Sequence, residues 1–448
     1  MAESSHPVVV GGGLAGCEAA LQLANRGHEV TLVEMRPVRS TPAHQTDGLG
    51  ELVCTNSFKS EDPANAHGAL KQEMRALGSV LLASAAEARV PAGGALAVDR
   101  TLFSAAMTRA VESHPRIQVE RREVTELPDG PAIIATGPLT SDALSEAIRA
   151  RLGEEGLAFF DAIAPIVERD SIDESTVFAQ GRWDQDPDYL NCPMTRGEYD
   201  RFVAEVAAAD VHEGGHDWDQ VPYFEGCLPI EVMVSRGPDT LRFGPMKPVG
   251  LTDPRTGERP WAVVQLRRED RAGQMWNLVG FQTRLRIGEQ KRVFRMIPGL
   301  EEAEFLRFGS IHRNSYLNFP AALTPHGSLR DRSDLIFAGQ LTGVEGYTES
   351  ASSGILAGIN LSRILRDEEP VVPPPTTMLG ALYRYMREAD PAHFQPMNSN
   401  WGLVDPLDRR IRDKRRKREL LGERALADFE RWRESVGIEA PEDARVAG

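Results

Sequence analysis

The chain is poor in cysteine and has no long apolar run. Four cysteines, Cys17, Cys54, Cys192 and Cys227, are scattered over 448 residues. That is too sparse for a disulfide framework, and the absence of any C-x-x-C pair sets aside a redox-disulfide mechanism. No apolar stretch approaches the ~18 residues of a membrane span. The N-terminus runs into its first strand without the basic segment of a signal peptide. A cytoplasmic protein with no membrane association is the expectation. Lysine is scarce too: six of the 51 basic residues are Lys and the rest are Arg, a residue suited to bidentate phosphate contacts. The formal net charge of -15 argues against a general nucleic-acid coat and leaves room for a local basic site. No internal repeat is present. The length allows two or three domains, and 41% apolar and 26% charged residues describe an ordinary globular core and surface.

Against these absences stands a nucleotide-binding fingerprint. Val8-Val9-Val10 reads as a buried strand, and Gly11-Gly12-Gly13-Leu14-Ala15-Gly16 follows at once in the pattern G-x-G-x-x-G. Cys17 to Arg26 reads as a helix and Glu29 to Val33 as a second strand closed by Glu34. In this pattern Gly11 makes the turn, Gly13 lets the backbone approach a pyrophosphate, and Gly16 lets helix and strand pack closely. Glu34 stands where an acid accepts from a ribose hydroxyl, which suits FAD or NAD and repels a 2′-phosphate. A second nucleotide signal is Phe337-Ala338-Gly339-Gln340, running through a glycine-rich loop to Glu349, Ser350 and Gly354. It reads as strand, loop and small-residue helix, able to approach a planar ring and a phosphate chain. No second G-x-G-x-x-G exists, so a nicotinamide cofactor (NADPH or NADH) has no Rossmann domain of its own and must reach a flavin transiently.

Between the two signals the texture changes. Residues 64–88, 99–111 and 139–152 carry helical patterns, and 117–119 and 132–135 read as strands, the latter ending in Ala135-Thr136-Gly137. Pro, Asp and Gly become frequent from Trp183 to Pro193, and turns and short strands follow to about residue 324. The expected organisation is therefore α/β: a Rossmann-like FAD-binding domain of glutathione-reductase type, split in sequence, with an inserted α+β domain. Its parts are residues 1–186, an inserted substrate domain at 187–324, the returning part at 325–369, and a Pro-rich linker with a helical basic tail at 370–448.

Other residues bear on chemistry. Cys17 falls on the first helix and reads as core. His212-Glu213-Gly214-Gly215-His216 matches the zinc-protease pattern H-E-x-x-H, but two glycines oppose the helix that chemistry needs, so no metal site is expected. Basic residues gather in two places. Arg284, Arg286, Lys291, Arg292 and Arg295 are followed by His312, Arg313 and Tyr316, and Arg409 to Arg418 holds eight Arg or Lys, Arg415 and Arg416 among them, against the single acid Asp413. Both suit phosphate contact, with His312 and Tyr316 as stacking partners for bases, and both equally suit solvated helix faces.

Several segments together resemble one family, the folate- and FAD-dependent tRNA (uracil-5-)-methyltransferases called TrmFO. They are GGGLAGCEAA from Gly11, CTNSFKSE from Cys54, EGCLPIEVM from Glu225, GPMKPVGL from Gly244, the long run from Gly280 to Pro320, FAGQLTGVEGYTESASSGILAGIN from Phe337 and NSNWGL from Asn398. The resemblance implies transfer of a one-carbon unit from 5,10-methylenetetrahydrofolate to C5 of the T-loop uridine of tRNA, with FAD reduced by NAD(P)H. It also implies two functional cysteines, at Cys54 and Cys227. Uracil C5 is a poor nucleophile until a thiolate adds at C6, so one of them is expected to attack; Lys59 and its polar neighbours favour Cys54. No obligate protein partner is indicated. Two other readings stand beside this one: a wobble-uridine-modifying flavoprotein of the glucose-inhibited-division type, and a flavin-bearing RNA-binding protein without turnover.

Overall fold

A computed structural model describes residues 6–41, 44–53, 56–90, 92, 94–153, 157–160, 164–182, 187, 189–212, 228–268, 273–309 and 314–439. The chain divides into two compact units, one of residues 1–159 and 315–448, the other of residues 160–314.

The first unit is built on a six-stranded sheet. Its strands are β1 (Val8–Val10), β2 (Val30–Glu34), β3 (Ile117–Arg121), β4 (Ala132–Ile134), β5 (Ser328–Leu329) and β6 (Arg332–Phe337), in the spatial order β5-β6-β4-β1-β2-β3. All but β5 are parallel, with Val9 opposite Leu32 on one side and Ile133 on the other, and Ile133 opposite Ile336. Parallel strands are covered on both faces and so read as continuous apolar runs, as VVV and AII do here. The chain leaves β1 toward β2 through helix α1 (Leu14–Asn25), while β4 occupies the other flank of β1. That reversal creates a switch point at the carboxyl ends of β1 and β4, where ligands of open α/β sheets bind.

Helix α1 packs on helix α3 (Tyr347–Ile364), which follows β6. The approach depends on missing side chains: a Cβ at Gly354 would lie 2.1 Å from the Ala15 carbonyl oxygen, and one at Gly358 would lie 2.7 Å from that of Ala19. α3 begins at Tyr347, before the stretch its apolar residues mark, because its first turns are filled with serines whose hydroxyls turn back to the helix backbone, Ser352 to Glu349 and Ser353 to Ser350. The single helical pattern over 64–88 resolves into α2 (Ala66–Ala76) and a separate helix at Val80–Glu87. Gly78 breaks it at φ +75°, and Ser79 caps the second piece. Two wholly buried carboxylates hold helix starts. Glu18 of α1 accepts from the Ser79 hydroxyl and the Leu81 amide, and Glu73 of α2 accepts from the Met378 and Leu379 amides at the start of α4 (Met378–Glu388). The last helix, α5 (Lys414–Ser435), packs on α2, with Leu421, Ala425 and Phe429 buried.

The second unit has its own antiparallel sheet, in the order 178–179, 189–194, 262–268, 275–278, 166–168, 305–307. It begins at 160, earlier than the expected boundary at 187, because Ile166–Glu168 is a strand between Met275–Leu278 and Phe305–Arg307. Cys192 lies mid-strand opposite Val264, inside the core formed with Tyr199 and Phe202 of the helix at Arg196–Ala208.

Candidate dinucleotide site

The cavity of interest opens at the carboxyl ends of β1, β2, β4 and β6. Gly11, Glu34, Thr136 and Gly339 line it from those strand ends. Tyr347 and Ser350 line it from the start of α3, and Val53 from the loop that leads to Cys54.

Three glycines of the fingerprint answer three different demands. Gly11 has φ +105°, a conformation that side chains resist, and a Cβ there would meet the Ala135 carbonyl oxygen at 2.6 Å. A Cβ at Gly16 would sit 1.8 Å from the Gly11 carbonyl oxygen, so helix and turn pack only without it. Gly13 differs. Its φ of -77° suits any residue, and a Cβ there would meet no protein atom within 4 Å. Nothing inside the protein demands glycine at position 13, yet it lines the cavity at the start of α1. Its side of the helix start carries no side-chain cap, which leaves the first amides of α1 to an outside acceptor. These features fit the pyrophosphate of a dinucleotide.

Glu34 is buried and firmly oriented. Its Oε2 accepts from the Gly12 amide at 2.8 Å, and its Oε1 accepts from the Arg36 amide at 3.0 Å and the Arg36 Nε at 2.8 Å. A carboxylate offers about four acceptor directions, so one on Oε2 remains. Burial alone would raise its pKa, but the Arg36 hydrogen bond and charge hold it below the usual carboxylate range. Arg36 is itself buried and also pairs with Glu51 at 2.8 Å. Sequence reasoning missed this Glu34–Arg36–Glu51 chain, although the acid and the arginine two residues on were in plain view.

Glu349 proves to have a different place from its neighbours Gly339, Gln340 and Ser350. Those three line the cavity, whereas Glu349 is buried behind it. Its carboxylate accepts from the Ser399 amide at 3.0 Å, the Thr348 hydroxyl at 2.8 Å and His67 Nδ1 at 3.2 Å. Burial pushes against ionisation, but the His67 hydrogen bond and the nearby Lys59 charge hold Glu349 well below the carboxylate range. His67 is pushed down by its own burial, so near neutrality it is the uncharged imidazole that donates. The NSNWGL segment, α2 and α3 thus meet on one carboxylate. Phe58, four residues beyond Cys54, packs its ring 5.9 Å from that of Tyr347 on the cavity wall.

Cys54, Cys227, His312, Arg313 and most of the H-E-x-x-H segment lie outside the described residues. The other two cysteines are sealed: Cys17 and Cys192 are fully buried, and burial pushes both thiols far up. Among the described residues no group of three or more His, Cys, Asp or Glu could hold a metal, and no helix is long and apolar enough to cross a membrane.

The basic residues separate by environment. Tyr316 cannot stack on a base: it is 1% exposed, with its hydroxyl bonded to the Phe394 carbonyl oxygen. Arg284 has a partly buried side chain beside Glu231. Arg295 donates to the Ala303 carbonyl oxygen. Arg292 is clamped by Glu289 and Glu205, whereas Arg286 and Lys291 are exposed. On α5, Arg415 is exposed beside Glu419, and Arg416 reaches Glu419 and Glu423.

Sheet order, glycine turn, terminal acid and cavity define a dinucleotide-binding protein with a split Rossmann-type domain. Residues 6–369 match the family described as Glucose inhibited division protein A. A solved structure of Aquifex aeolicus GidA shares the fold, with a TM-score of 0.52 at 16% identity over 98% of this chain and 75% of that one. Nearer relatives are proteins named methylenetetrahydrofolate–tRNA-(uracil-5-)-methyltransferase TrmFO. One from Geobacter sulfurreducens is 56% identical over 431 residues, 96% of this chain and 99% of its own. One from Anoxybacillus flavithermus is 54% identical over 425 residues, 95% of this chain and 98% of its own. The chain belongs to the glucose inhibited division protein A family and, within it, to the TrmFO proteins.

Proposed function

We propose that this protein methylates C5 of the T-loop uridine of tRNA, taking the carbon from 5,10-methylenetetrahydrofolate. The observation that carries the reading is identity of 52–56% to TrmFO proteins along nearly the whole of both chains. FAD is the resident cofactor and supplies reducing equivalents, which it receives from NADPH or NADH. Gly11 to Gly16 hold the pyrophosphate. Glu34 accepts from the ribose through its remaining Oε2 direction. Gly339, Gln340 and Ser350 border the flavin end. The substrate places the enzyme in the cytoplasm.

The reaction asks the chain for a thiolate that adds to uracil C6 and makes C5 nucleophilic. Cys17 and Cys192 are too deeply buried to serve, which leaves Cys54 and Cys227. We assign the attack on uracil to Cys54, whose chain neighbours Val53 and Phe58 line the cavity and pack on Tyr347 respectively. Cys227 then assists or shields the carbon-transfer step. Phosphate contacts fall to the exposed Arg286 and Lys291 and to the basic start of α5 around Arg415 and Arg416. His312 and Arg313 belong to the same proposed RNA surface. Purified protein given labelled methylenetetrahydrofolate, NADPH and unmodified tRNA will place label on C5 of the T-loop uridine. An unlabelled T-loop, or label in the anticodon loop instead, refutes the proposal.

A further inference from the structure

The second unit carries an aromatic ring that packing does not explain. Phe243 ends a short helix, Thr240–Phe243, and is 76% exposed, the most exposed large apolar side chain among the described residues. Leaving a phenyl ring in water forgoes a burial term of about 2 kcal/mol, so its position calls for a partner.

Behind it runs an alternating ladder. The Arg242 guanidinium carbon lies 5.9 Å from the Phe243 ring centroid and 3.9 Å from that of Trp261. The Arg196 guanidinium lies 5.1 Å from the same indole. Arg242 is fixed by its Nε donating to the Trp261 carbonyl oxygen at 2.8 Å, and its amide donates to the Tyr199 hydroxyl oxygen at 3.2 Å. Tyr199 is buried in the core of the unit. The ladder Arg196–Trp261–Arg242–Phe243 is therefore rooted through Arg242 and open at Phe243. Arg196 and Lys247 are exposed, Lys247 four residues beyond Phe243 in the chain. Asp200 pairs with Arg196 at 3.6 Å, while Glu198 is taken up by the Thr195 hydroxyl at 2.8 Å.

We propose that Phe243, backed by Arg242, Trp261 and Arg196, is a stacking platform for an unpaired nucleobase of the RNA substrate, with Lys247 meeting an adjacent phosphate. A flat ring on a rigid cationic support is the arrangement that captures splayed-out bases, since every base has a π-face and its phosphates seek the surrounding cations. The platform rests on the reading of tRNA as substrate. It also supplies the exposed aromatic that the sequence suggested at Tyr316, a residue the core has taken.

The test is equilibrium binding of unmodified tRNA at fixed salt to full-length, FAD-loaded protein. Phe243→Ala should weaken binding by about tenfold or more, and Phe243→Leu should weaken it likewise. Phe243→Trp should bind as the parent does. The salt dependence of Phe243→Ala should keep the parent slope, because a ring releases no counterion, while Lys247→Ala should lower that slope by about one. FAD content and melting temperature, unchanged in all four variants, show that the fold is intact. Parent-like tRNA affinity in Phe243→Ala, or full recovery by Phe243→Leu, overturns the platform. So does a change in sedimentation without a change in tRNA affinity, which would make the ring a contact between protein copies. Failure of the parent protein to bind tRNA at all refutes the substrate reading and the platform with it.

Discussion

Position 13 offers an experiment in which stability and cofactor affinity move in opposite directions. Replace Gly13 by Ser. The residue is the N-cap of α1, with extended backbone at φ -77° and ψ -170° and no side-chain cap of its own. Serine is at home in that conformation, and its Cβ would meet no protein atom within 4 Å. Its hydroxyl can accept from a first-turn amide, so the apoprotein should gain a few tenths of a kcal/mol over glycine. The same hydroxymethyl group stands in the cavity and competes for the amides that a pyrophosphate would use. Losing one charge-assisted hydrogen bond of that kind costs about 1.5–3 kcal/mol, or roughly 10- to 150-fold in affinity. Gly16→Ala supplies the contrast. Its Cβ would lie 1.8 Å from the Gly11 carbonyl oxygen, so helix and turn must separate, at a cost of about 1–3 kcal/mol to the apoprotein itself. Urea denaturation of the apoproteins and FAD titration by flavin fluorescence read the two quantities separately. Gly13→Ser protein that binds FAD as tightly as the parent would refute the argument that this glycine is kept for a ligand rather than for the fold.

Cys54→Ala and Cys227→Ala should each abolish methyl transfer while leaving yellow, folded protein, whereas Cys192→Ala should keep activity and lose about 1 kcal/mol of stability from its packed site; full activity in both of the first two variants removes the thiolate from the mechanism. Glu18 and Glu73 are raised by burial to about 7 and about 8. A carboxyl whose folded pKa lies above its unfolded value binds more protons when folded, so its stabilising contribution is whole below about pH 4.5 and is lost as pH rises through 7 to 8. Glu73→Gln should therefore flatten the decline of the urea midpoint between pH 5 and pH 8, and an unaltered profile would contradict the assignment. Charge reversal across Arg409 to Arg418 should weaken tRNA binding and reduce its salt dependence; unchanged binding returns that run to a solvated helix face.

The parts of this protein legible in its sequence are those governed by short-range rules. VVV, the glycine turn, α1, β2 and the closing Glu34 are consecutive, and each satisfies a demand of its immediate neighbours. The return of the sheet at β6 was legible for the same reason, since a parallel strand buried on both faces must be apolar and its exit needs small residues. What escaped was set by chain segments far apart. The break at Gly78 was hidden because apolar residues on either side keep a helical spacing, and the carboxylate that caps the second helix comes from Glu18, 61 residues before Ser79.

Glu349 makes the point most sharply. Within GVEGYTESASSG it looks like one more polar residue facing a nucleotide, beside Ser350, which does line the cavity. Its partners, His67 and Ser399, are 282 and 50 residues away. On a helix, residues one apart point about 100° from each other, so Ser350 and Glu349 take different directions from the start of α3. The helical period alone would have separated the two, had the helix been known to begin at Tyr347. Position in the first turn of α3 also explains why the buried charge is tolerated there: the free amides of a helix start favour an anion, and His67, Thr348 and the Ser399 amide supply the remaining donors. A negative charge held rigidly behind the cavity wall fixes the start of α3, which carries Tyr347 and Ser350. It follows that Glu349→Gln should keep the three-way junction largely joined through an amide yet shift the pH at which the cavity loosens, because His67 would lose its anionic partner. FAD affinity titrated from pH 5 to pH 8 reads this directly, and identical profiles for parent and variant would show that the junction carries no electrostatic weight.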